Sequence, residues 1–280
     1  MPGHASSAAA PRESSRRFLI ELARAFGGAI LFALPLFMTM EMWSLGFYLE
    51  PWRALVDFIL TVPLLVVLSY YIGFRESFSW REDIVDAFVA LAVGFVASVA
   101  CLLLFSVLER GMSADEIVGK VVLQAVPASL GAILAAGQLG INRDEQEVRA
   151  RGYLGELVYM LVGALFFALN LAPTDEMFLI SLQFTPWHGL ALMAASLAVV
   201  HAFVYQLEFQ GQEKRPEDAT FWSIFLRFTV VGYAIALCMS LYTLWAFGRT
   251  DGLPLGQIAM MVTVLGFPAS VGVAAARLLL

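Results

Sequence analysis

Residues 31–43 read LFALPLFMTMEMW, and residues 166–178 read FFALNLAPTDEMF. Sliding the chain by 135 positions lays the second stretch on the first without a gap. The register holds from Gly28 to Phe74 on one side and from Gly163 to Phe209 on the other, and 14 of the 47 aligned pairs are identical. Apolar composition alone produces chance Leu and Ala matches. It does not readily align Thr39, Glu41 and Met42 with Thr174, Glu176 and Met177, and then Pro51 and Trp52 with Pro186 and Trp187. The pattern is read as an internal duplication whose shared polar feature is a carboxylate near the end of an apolar helix.

Working outward, the later parts of each copy align at slightly larger offsets. Gly94 meets Gly232, and residues 117–129 meet residues 258–270, each ending Pro-Ala-Ser at Pro127 and Pro268. The composition says what solvent surrounds these copies. The 280 residues are 60% hydrophobic and 14% charged, with mean hydropathy +0.79. A soluble domain carries roughly 25% charged residues, so the chain reads as all-α and membrane-embedded. A net charge of −6, with no basic cluster beside stacking aromatics, excludes a nucleic-acid partner. Cys101 and Cys238 lie in apolar runs and read as small apolar fillers.

A helix needs about 20 apolar residues to cross the hydrocarbon layer. That rule predicts eight spans, at about 25–46, 55–74, 84–108, 115–138, 153–173, 187–207, 221–247 and 255–279. The expected organisation is a disordered tail (1–17), a four-helix repeat (18–140), a linker (141–152) and a second four-helix repeat (153–280). Four spans return the chain to its starting side, so the repeats are expected in the same orientation, related by a pseudo-two-fold axis along the membrane normal. Arg12, Arg16, Arg17, Arg75, Arg81, Arg143, Arg149, Arg151, Lys214, Arg215 and Arg277 fall on one side of this layout. Arg53, Arg110 and Arg249 fall on the other. The positive-inside rule then puts both termini in the cytoplasm.

On this layout Glu41 and Glu176 sit at the outer ends of spans one and five. A symmetry axis along the normal would turn both toward one outer vestibule, where facing carboxylates attract a cation. Pro35 and Pro173 precede them and free backbone carbonyls, as helix-kinking prolines do. Oxygen ligands of this kind suit Ca²⁺ or a monovalent cation rather than a transition metal. The expected ion-binding set is Glu41, Glu176, Asp175, Thr39, Thr174 and Asp57, with Glu41 and Glu176 as the metal ligands. Asp57, one turn into span two, either joins the vestibule or caps its helix. Pro127 and Pro268 read as repeated kinks with small residues for close packing. Lys120 is expected to snorkel outward, His201 to make an interhelical hydrogen bond, and Asp86 and Arg227 to be solvated at span ends.

No catalytic motif is present, neither HExxH, GxSxG nor a phosphate-cradling glycine loop, and the chain does not read as an enzyme. No cofactor is expected beyond a bound Ca²⁺ or monovalent cation. At residues 36–48, LFMTMEMWSLGFY, the chain resembles a family of bacterial multi-spanning membrane proteins of unknown function whose first span carries the same Thr-Met-Glu-Met-Trp run. The resemblance covers about residue 18 to the C-terminus and implies a helical bundle in the bacterial inner membrane. The function expected from the residues is cation permeation, by channel or secondary transporter, with lipid and a small cation as partners and a homo-oligomer as the assembly to look for. The alternatives are a sensor or assembly partner contacting others through residues 1–15 and 142–151, or a carrier of lipid or small organic molecules.

Overall fold

The computed structural model describes the backbone of residues 10–72, 80–138, 152–206 and 221–276. Every regular element among them is a helix. In chain order these are α1 (Ala10–Phe37), α2 (Met40–Tyr48), α3 (Pro51–Ile72), α4 (Trp80–Leu104) and α5 (Ala114–Gln138). There follow α6 (Tyr153–Leu171), α7 (Asp175–Gln183), α8 (Pro186–Gln206), α9 (Phe221–Ala246) and α10 (Leu255–Ala276). All but α2 and α7 are long and apolar enough to cross a membrane, giving eight candidate spans among the described residues. Within α9, Phe225–Val230 forms a π-helical turn.

Two expectations change. The first span does not reach residue 46: α1 stops at Phe37, Thr39 adopts an extended backbone (φ −96, ψ 117), and α2 starts as a separate short helix. The fifth span likewise ends at Leu171, before Pro173, and Thr174 (φ −74, ψ 142) begins α7. Pro173, expected as a kink, therefore lies in a break between helices, where its missing N–H interrupts nothing. Pro35, Pro127 and Pro268 do lie inside helices. The helix α1 also begins at Ala10, inside the stretch expected to be a tail. Its Pro11 stands in the first turn, where no helical N–H is required. The loops that carry most of the expected cytoplasmic arginines, and the segment 142–151, fall largely outside the described residues.

Each half is built around its last span. In the first, α1, α2, α3 and α4 pack on α5; in the second, α6, α7, α8 and α9 pack on α10. Glycine sets the closest crossings, and at aligned positions. Gly28 of α1 meets Gly131 of α5, and Gly163 of α6 meets Gly272 of α10, so tightly that a Cβ on any of the four would run into a backbone carbonyl oxygen of the partner. Such contacts let helices approach through van der Waals packing, which drives association where lipid is as apolar as the protein. After each interior Pro-Ala, a serine hydroxyl turns back on its own helix. Ser129 Oγ donates to the Ala125 carbonyl (2.5 Å) and Ser270 Oγ to that of Gly266 (2.6 Å).

The halves meet unevenly. Contacts run from α1 to α6, from α3 to α6 and from α3 to α9. Among the described residues, α8 makes no contact of that extent with α1 or α4, the pairs a closed two-fold would add. The rings of Phe32 and Phe166 meet edge-on at 4.5 Å, whereas Leu31, the residue aligned with Phe166, is 74% exposed. Half two thus presents its α6–α9 side to α3 of half one, and the matching α8 face is left outward.

Candidate functional site

The repeated Thr-x-Glu-Met acquires a local meaning once α2 and α7 are seen as separate helices. Thr39 and Thr174 are their N-caps, Glu41 and Glu176 stand in their first turns, and Met42 and Met177 are buried and anchor them. An acidic side chain in a first turn is stabilised by the unpaired backbone N–H groups there. The threonine hydroxyls serve the preceding breaks. Thr39 Oγ1 donates to the Pro35 carbonyl (2.6 Å) and Thr174 Oγ1 to that of Leu171 (2.8 Å). Trp43 Nε1 closes the first break by donating to the Phe37 carbonyl (2.8 Å).

The six expected ion ligands are not gathered into one group. Glu41 is half-buried and Glu176 exposed. Each belongs to a short helix packed on its own half's central span, with no comparable contact between α2 and α7. Asp175 is held by Arg249, Nη1 to Oδ1 2.8 Å, and the same guanidinium donates to the Pro173 carbonyl. Among the described residues no three His, Cys, Asp or Glu side chains are placed to hold a metal ion.

Asp57 is the exception, and it lies where the halves meet. On α3, Arg53, Asp57 and Thr61 follow at intervals of four and share a face. Arg53 is 8% exposed and crosses to half two, its Nη1 donating to the Trp245 carbonyl and its Nη2 to Asp251 Oδ1, both at 2.7 Å. Its guanidinium carbon lies 5.2 Å from the Trp52 ring and 5.7 Å from that of Trp245. Gly248, at φ +70, makes the turn between Trp245 and Asp251. A side chain there would strain the loop that carries both partners of Arg53.

One turn deeper, Asp57 is 3% exposed. The Tyr242 hydroxyl of α9 donates to its Oδ1, and Thr61 Oγ1 donates to its backbone carbonyl (2.8 Å). No Lys, Arg or His among the described residues forms an ion pair with it. A cavity of about 230 Å³ opens beside it, with Asp57, Thr61 and Tyr242 as polar lining and leucines of α3, α5 and α6 making most of the rest. A carboxylate removed from water costs several kcal/mol unless compensated, and one hydroxyl is a modest return. The seam therefore stacks an arginine–tryptophan lid over a carboxyl–phenol pair and an apolar chamber.

Sequence reasoning included Asp57 but missed its partners. Tyr242 drew no attention because a single tyrosine in an apolar span is ordinary. The i, i+4, i+8 polar stripe on α3 was the available signal; half two keeps polar residues at its two ends, His188 and Ser196, and has Leu192 where half one has Asp57. Other polar residues found local uses. Lys120 is buried and reaches back toward the start of α5, the direction expected of it, where it pairs with Glu116 (2.7 Å). His201 Nδ1 lies 3.0 Å from Thr229 Oγ1 across α8 and α9. Gln124 is fully buried in α5, with neither amide atom hydrogen-bonded among the described residues.

A family model described as "Putative integral membrane protein (DUF2391)" matches residues 21–280. Neither a curated protein nor a solved structure matches the chain. With a match that reaches all eight candidate spans and both halves of the seam, the protein belongs to the DUF2391 family of integral membrane proteins.

Proposed function

We propose that this protein carries a small monovalent cation or a proton across the membrane, with Asp57 as the stopping point at membrane depth. The observation that carries the reading is a buried carboxyl whose side chain, among the described residues, is hydrogen-bonded by a tyrosine of the other half, at the wall of a cavity between the halves. An ionisable group within a span is costly to keep and marks ion pathways by default. One carboxylate with two hydroxyls supplies too little charge and too few oxygens for Ca²⁺, which takes six to eight ligands. A carrier fits better than an open pore, because the Arg53–Asp251 pair and the two indoles join the halves one turn along α3 from Asp57.

The two halves are proposed to be tandem copies in the same orientation, supported by the aligned glycine crossings and the aligned Pro-Ala-Ser turns. Both termini would then be cytoplasmic and the Arg53 end would face outward, in a bacterial inner membrane. Glu41 and Glu176, with Thr39, Thr174 and Asp175, would contribute at most a negative potential that collects cations at the outer face.

The test is uptake into proteoliposomes, followed with a pH-sensitive dye and with Na⁺- and K⁺-sensitive dyes. Asp57→Asn should abolish transport and Tyr242→Phe should slow it at least tenfold. The Glu41→Gln, Glu176→Gln double variant should transport within about twofold of the parent protein. Unchanged transport in folded Asp57→Asn protein would sink the assignment, and loss in the double variant would return the pathway to the outer glutamates.

A further inference from the structure

A second and larger cavity lies on the opposite side of α3. It measures about 780 Å³ and is walled by the C-terminal half of α2, the first two turns of α3, the middle of α4 and the N-terminal half of α5. Its body is apolar and aromatic: Phe47, Tyr48, Leu55, Phe58, Phe95 and Val122. Phe58 and Phe95 meet edge-on at 5.9 Å. Its ionisable lining is Glu50, Asp115 and Glu116, with no Lys, Arg or His. The wall is held rigidly, because a Cβ on Gly119 would strike the Gly46 carbonyl where α2 crosses α5.

We infer that this cavity binds an amphiphilic organic cation, an alkyl- or arylammonium compound whose charged head lies among Glu50, Asp115 and Glu116 and whose apolar part fills the space over Phe58 and Phe95. The size suits a drug-sized ligand, for which pockets run from about 300 to 1,000 Å³. The lining itself carries three carboxylates, two of them met by Lys120 and Arg53 from behind the wall, so Asp115 leaves the mouth net negative and disfavours a phosphate headgroup. The aromatic body of the cavity buries the ligand's apolar part while the acidic rim takes its charge. Glu116 is tied to Lys120 and Glu50 leans on Arg53 at 3.6 Å. Asp115, exposed at the mouth, is the carboxylate most available to a ligand. The inference stands apart from the Asp57 reading, since it concerns binding on the other face of α3.

The experiment is equilibrium binding of dodecyltrimethylammonium to the full chain in nanodiscs of zwitterionic lipid, with dodecanol as the neutral control. The Glu50→Gln, Asp115→Asn double variant removes charge, and Val122→Trp fills the chamber without touching charge. Saturable binding of the cation, with about tenfold or greater weakening in each variant and none for dodecanol, is the expected result. Equal binding of dodecanol, or affinity unchanged in both variants, would overturn the proposal. So would saturable binding of an anionic or zwitterionic lipid in place of the cation. Asp57→Asn should bind the ammonium compound as the parent protein does.

Discussion

Arg53 and Asp57 occupy one face of α3 but do different work, and single substitutions separate them. Asp251→Asn removes the charge opposite Arg53 while keeping an oxygen for its Nη2. Because Asp251 is largely solvated, the cost in stability should be small, about 0.5–1.5 kcal/mol, read from thermal unfolding in detergent. Transport should respond more, as a raised leak when no gradient is coupled. A leak equal to that of the parent protein would take the lid function away from Arg53. Glu41 and Glu176 illustrate the opposite case. Their recurrence was plain in the sequence, and both stand in the first turns of short helices, where an acidic side chain is favoured with or without an ion.

At the scale of the helix, the glycines give the sharpest expectations. Gly163→Ala and Gly272→Ala each force a methyl group against a backbone carbonyl that has no room to retreat. Overpacking of this kind costs about 1–3 kcal/mol. Gly256, in the first turn of α10, has nothing within 4 Å of where its Cβ would be. Gly256→Ala should be neutral or stabilise by up to about 1 kcal/mol through helix propensity. Melting temperatures of the three variants in one detergent check this, and equal effects would mean that the crossings are looser than drawn. The eight spans were legible because length and apolarity answer to bilayer thickness alone, whereas the crossings at Gly131 and Gly272 were not, since alignment does not say which glycines meet. The breaks at Met38–Thr39 and at Pro173 were not. An apolar short helix lying on its neighbour has the same composition as the end of a span, and hydropathy does not distinguish them.

For the whole molecule, the relation between the halves escaped the sequence. Duplication implies that the copies resemble each other but says nothing of how they dock. Among the described residues the halves meet along a seam through Arg53, Asp57 and Tyr242, with no matching seam of that extent on the α8 side. Cysteine pairs test the arrangement in a background of Cys101→Ala and Cys238→Ala. Phe32→Cys with Phe166→Cys should be bridged by a short bifunctional thiol reagent, whereas Leu31→Cys with Phe167→Cys should not. Bridging of both pairs with equal yield would restore the two-fold.

That one-sidedness carries a consequence for how such a chain can change over time. Where half one has Asp57 facing Tyr242, the aligned positions of half two and half one are Leu192 and Leu104, and Leu104 is 78% exposed. Docked as they are, the two halves supply different walls of one chamber, so either can change its polar residues alone while the glycine crossings within each stay alike.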